Sequence, residues 1–312
     1  MAKAIREVYG TVLAELGDTN ENIVVLDADL SGSTKSKIFG QAHPERFFNM
    51  GIAEANMVAT AAGMSTVGKV PFVNTFTVFL TSLGLLSARD QICYANLNVK
   101  FGGAYCGMSD ALDGASHHAT EDIAIMRALP SMKVIVPSDA ASTRWATKYA
   151  AETYGPMYLR LSRDVYPDLY AEDAEFELGK GAVVREGSDV TVIACGLLVH
   201  KAIEAAEIMA QKGVSVRVVD MYSVKPIDSE LIVKCAAETG AIVTAEEHNI
   251  FGGLGSAVSE VLAHEACGVP TEFVGIQDVF TESGPYKELL KKYGVDAEGV
   301  VAGIEKVLAR KK

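Results

Sequence analysis

A carboxylate at the start of a helix of small residues is the most informative chemical feature of the sequence. Glu54 lies within RFFNMGIAEANMVATAAGM, residues 46–64, where an aromatic strand end and Gly51 lead into an alanine-rich helix. The spacing predicts Glu54 in the first helical turn, where the helix dipole favours negative charge. The pattern alone is typical of a helix-capping glutamate, so a chemical role for Glu54 is a hypothesis at this point.

Other residues that could bind or react lie in separate short segments. Phe76 and Phe79 are three residues apart, so a helical turn would present both rings on one face. Residues 113–117 read DGASH, in which DG favours a turn. The histidine of this segment is suited to bind hydroxyls or transfer protons near neutral pH. Core packing, an ordinary turn and a surface histidine explain the same residues without a function.

The elements that must position these residues alternate between strands and helices. In the first half we predict strands at 23–26, 71–74, 134–136 and 157–161, with helices such as 54–64 and 142–154. An acidic, aperiodic segment at 167–177 is predicted to be a linker. In the second half we predict strands at 189–195, 215–220, 241–244 and 272–275, and helices at 200–212, 229–239, 255–264 and 300–310. The pattern predicts an α/β fold class with two doubly wound domains, residues 1–166 and 178–312, and mostly parallel sheets.

Composition limits the classes of function. A length of 312 residues favours two domains, and the net charge of −12 argues against nucleic-acid or anionic-membrane partners. No signal-like start and no long apolar stretch are present in the sequence, which predicts a cytoplasmic protein. The five cysteines form no CxxC pair, so reduced thiols are expected rather than disulfides or a zinc site.

The segment around Glu54 resembles the GIAE-containing motif of transketolases and their relatives. Five further segments occur in the family's order, namely VLDADLSGSTKS, PFVNTFTVFL, CGMSDALDGASHH, VIVPSD and YLRLSR. With them, essentially the whole chain is similar to the C-terminal half of a transketolase. The resemblance implies a pyrimidine-binding domain followed by a transketolase C-terminal domain.

The resemblance implies thiamine diphosphate as the cofactor. Glu54 would bond to its aminopyrimidine ring, a role that requires a desolvated carboxylate. Phe76 and Phe79 would line the pocket of that ring, and Asp29, in the loop after the first strand, would lie near the thiazolium ring. Magnesium or calcium would accompany the diphosphate. The family's GDG motif for that metal does not occur in this sequence, so the metal ligands are expected on a separate N-terminal subunit.

A sugar-phosphate site is also implied by the resemblance. Asp113 would hydrogen-bond a substrate hydroxyl, and His117 would bind a hydroxyl or transfer a proton. The residues that match the family's phosphate clamp are Arg6, Ser33 and Arg163. Arginine offers phosphate a planar fork of donors, and serine adds a hydroxyl.

One position of the implied sugar-phosphate site departs from the family's pattern. Tyr105 stands where many transketolases have a histidine that contacts the acceptor. Because tyrosine carries no positive charge at neutral pH, the acceptor could differ from theirs.

Residues 252–262, GGLGSAVSEVL, contain neither GxGxxG nor a P-loop lysine, and we interpret them as a turn from a strand into a helix.

The activity that the resemblance implies is transfer of a two-carbon ketol unit by a split enzyme, active only with an N-terminal partner subunit and assembled as a two-fold heterotetramer. Three alternatives remain: the beta subunit of a 2-oxoacid dehydrogenase decarboxylase component, a deoxyxylulose-phosphate-synthase-like subunit, and a non-catalytic assembly partner. The clamp residues argue against the first alternative, the short chain against the second, and Glu54 against the third. The sequence does not name the preferred sugars.

Overall fold

The computed structural model describes residues 4–311. In the first part of the chain, the helices are α1 (Ile5–Thr19), α2 (Ser31–Thr34), α3 (Lys37–Ala42), α4 (Glu54–Thr66), α5 (Thr77–Ser82), α6 (Leu85–Ser87), α7 (Asp122–Ala128) and α8 (Ala140–Glu152). The strands are β1 (Ile23–Asp27), β2 (Phe47–Asn49), β3 (Val70–Phe76), β4 (Lys100–Ala104), β5 (Lys133–Ile135) and β6 (Met157–Leu161). A 3₁₀ turn precedes β2 at Pro44–Arg46, and a π-helical turn follows α6 at Ala88–Cys93.

The second part of the chain repeats the alternation. Its strands are β7 (Ala182–Arg185), β8 (Val190–Ala194), β9 (Val216–Asp220), β10 (Ser223–Lys225), β11 (Ile242–Asn249) and β12 (Thr271–Ile276). Its helices are α9 (Leu197–Gln211), α10 (Ser229–Thr239), α11 (Leu254–His264), α12 (Tyr286–Lys292) and α13 (Ala297–Arg310). Residues 167–177, between the two parts, form neither helix nor strand.

The strands form two mostly parallel sheets. The seven-stranded sheet has the order β10-β5-β6-β4-β3-β1-β2, and the five-stranded sheet has the order β12-β11-β8-β9-β7. The antiparallel pairs are β10 with β5 and β7 with β9, each at a sheet edge. The predicted α/β class is therefore confirmed. Strand β10 comes from the second part of the chain but extends the first sheet, which ties the two parts together.

Hydrophobic patterning explains the main elements. The β1 sequence IVVLD and the β3 sequence VPFVNTF are buried at every position, as expected for parallel strands covered by helices on both faces. Helix α1 buries Ile5, Val8, Tyr9, Val12 and Leu13, a spacing of three and four residues that forms one apolar stripe. Both parts of the chain contribute side chains to the same buried apolar clusters.

The observed elements differ from the predicted ones chiefly in the short strands. Strand 157–161 and helix 229–239 have the predicted bounds, and the other predicted strands and helices differ from observed elements by a few residues at one or both ends. Strands β4, β7 and β10 were not predicted. Among the described residues, none of the helices is both long and apolar enough to span a membrane.

Candidate active site

The predicted site residues follow the strands of the seven-stranded sheet at their carboxyl ends. Asp29 comes two residues after β1, and Glu54 begins the helix that follows β2. Phe79 lies just after β3, Tyr105 directly after β4, and Arg163 two residues after β6. In open parallel sheets, this edge is where ligands bind. The sheet thus brings residues from distant parts of the sequence to one edge.

Glu54 is the first residue of α4 and is only 4% exposed. The turn before it contains Gly51 at φ 69°, a left-handed conformation that favours glycine. Ile52, two residues earlier, is 84% exposed, so the buried carboxylate lies close to open surface. A largely buried carboxylate beside open surface is suited to bond a polar group that arrives from outside.

The loop after β1 is held by a carboxylate that the sequence did not single out. Asp27 is buried and accepts hydrogen bonds from the Leu30 N–H at 2.6 Å, the Thr34 hydroxyl at 2.7 Å and the Ser36 hydroxyl at 2.8 Å. Burial raises its pKa above the ordinary value. Asp29, by contrast, is exposed. These bonds fix the start of the segment that carries the predicted Ser33.

Asp29 itself has a strained backbone. Its φ is 64°, and its carboxylate accepts a hydrogen bond from the Asn49 side-chain amide at 2.8 Å. Non-glycine residues in this conformation are uncommon and cluster at functional sites. The contact joins the ends of β1 and β2, next to the turn that leads into Glu54.

Aromatic rings cover the middle of the edge. Phe76 ends β3 and caps α5, so Phe76 and Phe79 flank a strand-to-helix junction rather than lying on one helical turn as expected. Their rings are nonetheless stacked, with centroids 6.0 Å apart. Phe76 also stacks on Tyr105 at 4.3 Å, and Phe79 meets His117 edge-on at 5.3 Å. The result is a continuous cluster of aromatic rings against which a planar ring could pack.

Tyr105 lies between the two predicted arginines. Its hydroxyl accepts a hydrogen bond from Arg6 Nη1 at 2.7 Å, and the same nitrogen donates to the Ser33 carbonyl at 2.7 Å. The guanidinium carbons of Arg6 and Arg163 lie 5.1 Å and 5.4 Å from the Tyr105 ring centroid. Tyr105 has φ 59°, the second positive φ among the predicted residues. Ser33 therefore contacts Arg6 through its carbonyl, and the phosphate-binding role of its hydroxyl stays a prediction.

The loop after β4 adds two carboxylates and a histidine. Asp113 is exposed, and His117 is half-buried with its Nδ1 3.0 Å from the Ser116 hydroxyl. Asp110, which the sequence did not single out, is buried, and its Oδ1 lies 3.5 Å from Arg163 Nη1. Burial and, next, the nearby charge of Asp113 raise the pKa of Asp110 to about 6.

This loop is held in place by the second part of the chain. Glu247 in β11 accepts a hydrogen bond from the Met108 N–H at 2.7 Å, and burial raises its pKa to about 7. His118 Nδ1 lies 2.6 Å from the Thr281 hydroxyl. These contacts position the loop but do not themselves reach the carboxyl edge.

A buried ion pair lies behind the same loop. Arg160 in β6 donates to Asp122 from Nε at 2.7 Å and from Nη2 at 3.0 Å, and Tyr158 adds a hydrogen bond at 2.7 Å. Burial opposes ionisation of Asp122, but the Arg160 guanidinium outweighs it and holds the carboxyl pKa below its ordinary value. Because the pair is desolvated, removal of one partner would leave a costly uncompensated charge.

Direct contacts thus join Arg6, Ser33, Phe76, Phe79, Tyr105, His117 and Arg163 into one cluster. Asp113 is linked to this cluster through Asp110. Glu54 and Asp29 lie at the same carboxyl edge. Within the described part of the chain, no group of three or more His, Cys, Asp or Glu residues could hold a metal ion.

The sequence matches two transketolase family domains. Residues 1–168 match the transketolase pyrimidine binding domain, and residues 179–300 match the transketolase C-terminal domain. The chain belongs to the transketolase family.

Relatives of two lengths match the chain. It is 45% identical to a transketolase C-terminal section assigned in Methanocaldococcus jannaschii, over 97% of this chain and 95% of the relative. It is 40% identical to a 6-deoxy-6-sulfo-D-fructose transketolase subunit of a Clostridium species, over 98% and 95%. Human transketolase is 37% identical over 98% of this chain, which spans only 49% of that protein.

A solved structure of the same length is also similar. It is a split-gene transketolase crystallised as an inactive beta4 tetramer, 51% identical with a TM-score of 0.91, and the alignment covers both chains completely. A transketolase from Pichia stipitis, at 21% identity and a TM-score of 0.82, shares the fold. The resemblance to the C-terminal half of a transketolase is confirmed.

Proposed function

We propose that this chain is the C-terminal subunit of a split transketolase, which transfers a two-carbon ketol unit from a ketose phosphate to an aldose or aldose phosphate. The observation that supports this proposal most directly is the convergence at one sheet edge of a largely buried carboxylate, stacked aromatic rings and two arginines. Each of these groups suits a different portion of the expected cofactor and substrates.

The residues present fit thiamine diphosphate. Glu54 offers a carboxylate on a residue only 4% exposed, which would bond a ring nitrogen and hold the shared proton there. Phe76 and Phe79 offer flat apolar surface that would orient the aminopyrimidine and exclude water, and Asp29 would lie towards the thiazolium side. When bound, the cofactor would supply the electron sink for cleavage of the carbon–carbon bond beside the donor carbonyl.

The same edge provides groups for a sugar. Asp113 would accept a hydrogen bond from a substrate hydroxyl, and His117 would bind a hydroxyl or move a proton at it. Arg6 and Arg163 are the cationic groups for an anionic end of the substrate, with Tyr105 between them as a neutral hydrogen-bonding side chain. The relatives named for sulfofructose and for apulose 4-phosphate suggest that this end varies within the family.

The proposal includes an N-terminal partner subunit that carries the diphosphate-binding domain and the magnesium or calcium ligands. Large apolar side chains are exposed in the segments that lead away from the candidate site after β2 and β3, namely Ile52, Leu83, Leu86 and Tyr94. Such exposure favours a covering protein surface over free solvent. The split-gene relative of the same length is inactive as a beta4 tetramer, which also supports a requirement for a partner. A two-fold heterotetramer in the cytoplasm is the arrangement we propose.

Reconstitution tests the proposal. The chain is mixed with its N-terminal subunit, magnesium and thiamine diphosphate, and ketol transfer from xylulose 5-phosphate to ribose 5-phosphate is followed alongside pyruvate decarboxylation. Transfer that needs both chains supports the proposal. Turnover of pyruvate without ketol transfer would assign the chain to 2-oxoacid dehydrogenase chemistry, and robust ketol transfer by the isolated chain would remove the need for a partner.

A further inference from the structure

Asp110 is a buried carboxylate in contact with Arg163, one of the two arginines at the anionic end of the candidate site. Arg163 Nη1 lies 3.5 Å from Asp110 Oδ1, and the side chains are 42% and 4% exposed, respectively. The second oxygen of Asp110 is buried and has no hydrogen-bond partner within the described residues. A carboxyl group of the protein therefore already faces the guanidinium that a substrate anion would use.

Arg6 is engaged differently. It donates to the Tyr105 hydroxyl and the Ser33 carbonyl, both neutral groups. Its Nε is buried without a hydrogen-bond partner among residues 4–311, so it keeps unused donor capacity and its full charge. Of the two arginines, Arg163 is the one whose charge is offset by a buried carboxylate of this cluster.

We propose that Asp110 is a specificity-determining residue that competes with the anionic end of the substrate for Arg163. The site binds substrates with either a phosphorylated end or a neutral, hydroxyl-rich end. With Asp110 in place, its preference for the phosphorylated end is weaker than it would be with an uncharged residue at position 110. The identity of the substrate rests on the proposed transketolase function, whereas the competition for Arg163 does not.

The physical reason is the sharing of one cation by two anions. A phosphate that bonds Arg163 comes close to the Asp110 carboxylate, and like charges brought together in a partly desolvated site repel strongly. A sugar hydroxyl has the opposite preference, since it can donate a hydrogen bond to a carboxylate oxygen. Arg163 is also exposed enough to turn towards solvent, so an anion can bind it if the bond to Asp110 is weakened.

The competition depends on pH because Asp110 titrates near neutrality. Burial and, next, Asp113 raise its pKa to about 6, while Arg163 and His117 oppose that rise. Asp110 is therefore ionised at pH 8 and mostly neutral at pH 5, so anion binding at Arg163 strengthens as the pH falls. Burial lowers the pKa of His118, the other histidine of the loop.

Sulfate binding to the full chain tests the proposal without enzymatic activity. Sulfate stays doubly charged from pH 5.5 to 8, so its own titration does not contribute to the pH dependence. Isothermal titration calorimetry would compare wild type, Asp110→Asn and Asp173→Asn, the last of which removes an equal charge from an exposed position. Asp110→Asn should bind sulfate at pH 8 at least about 5-fold more tightly than wild type and should lose most of the pH dependence. Asp173→Asn should match wild type.

Arg163→Gln supplies a second variant and closes a double-mutant cycle. Without Arg163, the change at residue 110 should alter sulfate affinity by less than about 2-fold. If Asp110→Asn does not fold, Arg163→Gln alone tests the same competition. Its sulfate binding should then no longer depend on pH. Weaker or unchanged sulfate binding by a folded Asp110→Asn at pH 8 would overturn the proposal, because Asp110 would then orient Arg163 or leave it unaffected.

Acceptor preference is the second measurement. In the reconstituted complex, Asp110→Asn should raise kcat/KM for ribose 5-phosphate relative to ribose, through KM with kcat little changed. An unchanged ratio would refute a role in specificity. Absence of any ketol transfer in wild type would count against the proposed function alone, since the sulfate result would still stand.

Discussion

Glu247, in the second sheet, accepts a hydrogen bond from the backbone N–H of Met108 at 2.7 Å and one from the Tyr286 hydroxyl at 2.9 Å. Gly107, next to Met108, has φ 59°, and a Cβ there would lie 2.5 Å from the Glu247 carboxyl carbon. The backbone after β4 therefore fits closely around this carboxylate. As a consequence, the second part of the chain sets the position of the loop that carries the candidate sugar-binding residues.

Replacement of Glu247 by alanine is expected to destabilise the chain and loosen that loop. The Met108 N–H and the Tyr286 hydroxyl would lose their buried acceptor, at about 1 to 3 kcal/mol for each unpaired group. Denaturant unfolding at pH 6 would measure the change in free energy of unfolding. In the reconstituted complex we expect KM for the sugar to rise more than kcat falls, because Glu247 lies behind the site.

Glu265→Ala is the matched control, since Glu265 is exposed in the same part of the chain. It should change the free energy of unfolding by less than about 0.5 kcal/mol. Equal stability of the two variants would show that the contacts of Glu247 contribute little to the free energy of unfolding. An unchanged KM in Glu247→Ala would show that sugar binding by the loop does not depend on its contact with the second sheet.

Glu54→Ala is expected to lower turnover of the reconstituted complex by about 10²- to 10⁴-fold, the usual effect of removing a positioned acid or base. Glu54→Gln keeps the side-chain size but cannot share a proton in the same way, so it should be nearly as impaired. Glu21→Ala, at an exposed position, serves as the control. Calorimetric titration with thiamine diphosphate would show whether binding is also weakened, and near-normal turnover in both Glu54 variants would refute the role.

The sequence predicted the long buried strands and the class of fold because continuous apolar runs such as that of β1 have one stable placement, inside a covered parallel sheet. It also predicted Glu54 at a helix start, since glycine and small residues mark that boundary. Strand β4, with the sequence KFGGA, was missed because two glycines and a lysine disfavour a strand locally. Its place between β3 and β6 is determined by tertiary packing.

Part of the candidate site could not be predicted for a related reason. Asp110 acts through its burial and through Arg163, 53 positions away in sequence, and Asp27 acts through its burial. Neither the burial nor the distant contact can be read from one residue type. The contact of Tyr105 with Arg6 joins residues 99 positions apart. The family resemblance supplied the candidate site residues, but the charge that opposes Arg163 follows only from the three-dimensional arrangement.

The packing of β4 yields a stability prediction. A Cβ on Gly102 would lie 2.6 Å from the Tyr9 hydroxyl oxygen and 2.7 Å from Asn74 Oδ1, two groups that hydrogen-bond each other at 2.6 Å. Gly102→Ala should therefore lower the free energy of unfolding by about 1 to 3 kcal/mol through overpacking. Gly63→Ala, in the middle of α4 with open space around the Cβ position, should instead raise it by about 0.5 to 1 kcal/mol. Thermal or denaturant unfolding of both variants measures the contrast, and the same sign for both would contradict it.

Asp220 gives a prediction for stability against pH. It is fully buried at the end of β9, where the hydroxyls of Ser138 and Tyr170 donate to its Oδ2 while its Oδ1 has no partner among the described residues. Burial raises its pKa from the ordinary 3.8 to about 7. Between these values the folded chain holds a proton that the unfolded chain has released. Asp220 therefore stabilises the fold most at low pH, and this contribution is lost as the pH rises through 7.

Asp220→Asn removes that titration. Wild type should lose more free energy of unfolding than the variant between pH 5 and pH 8, by roughly 1 to 3 kcal/mol. Carboxyls remote from Asp220 titrate alike in both proteins, so the difference between the two pH profiles reports on Asp220 and its neighbour Asp139. Asp173→Asn, at an exposed position, should reproduce the wild-type profile. Denaturant unfolding at half-unit pH intervals measures all three proteins, and parallel profiles for wild type and Asp220→Asn would show that the buried carboxyl does not titrate in this range.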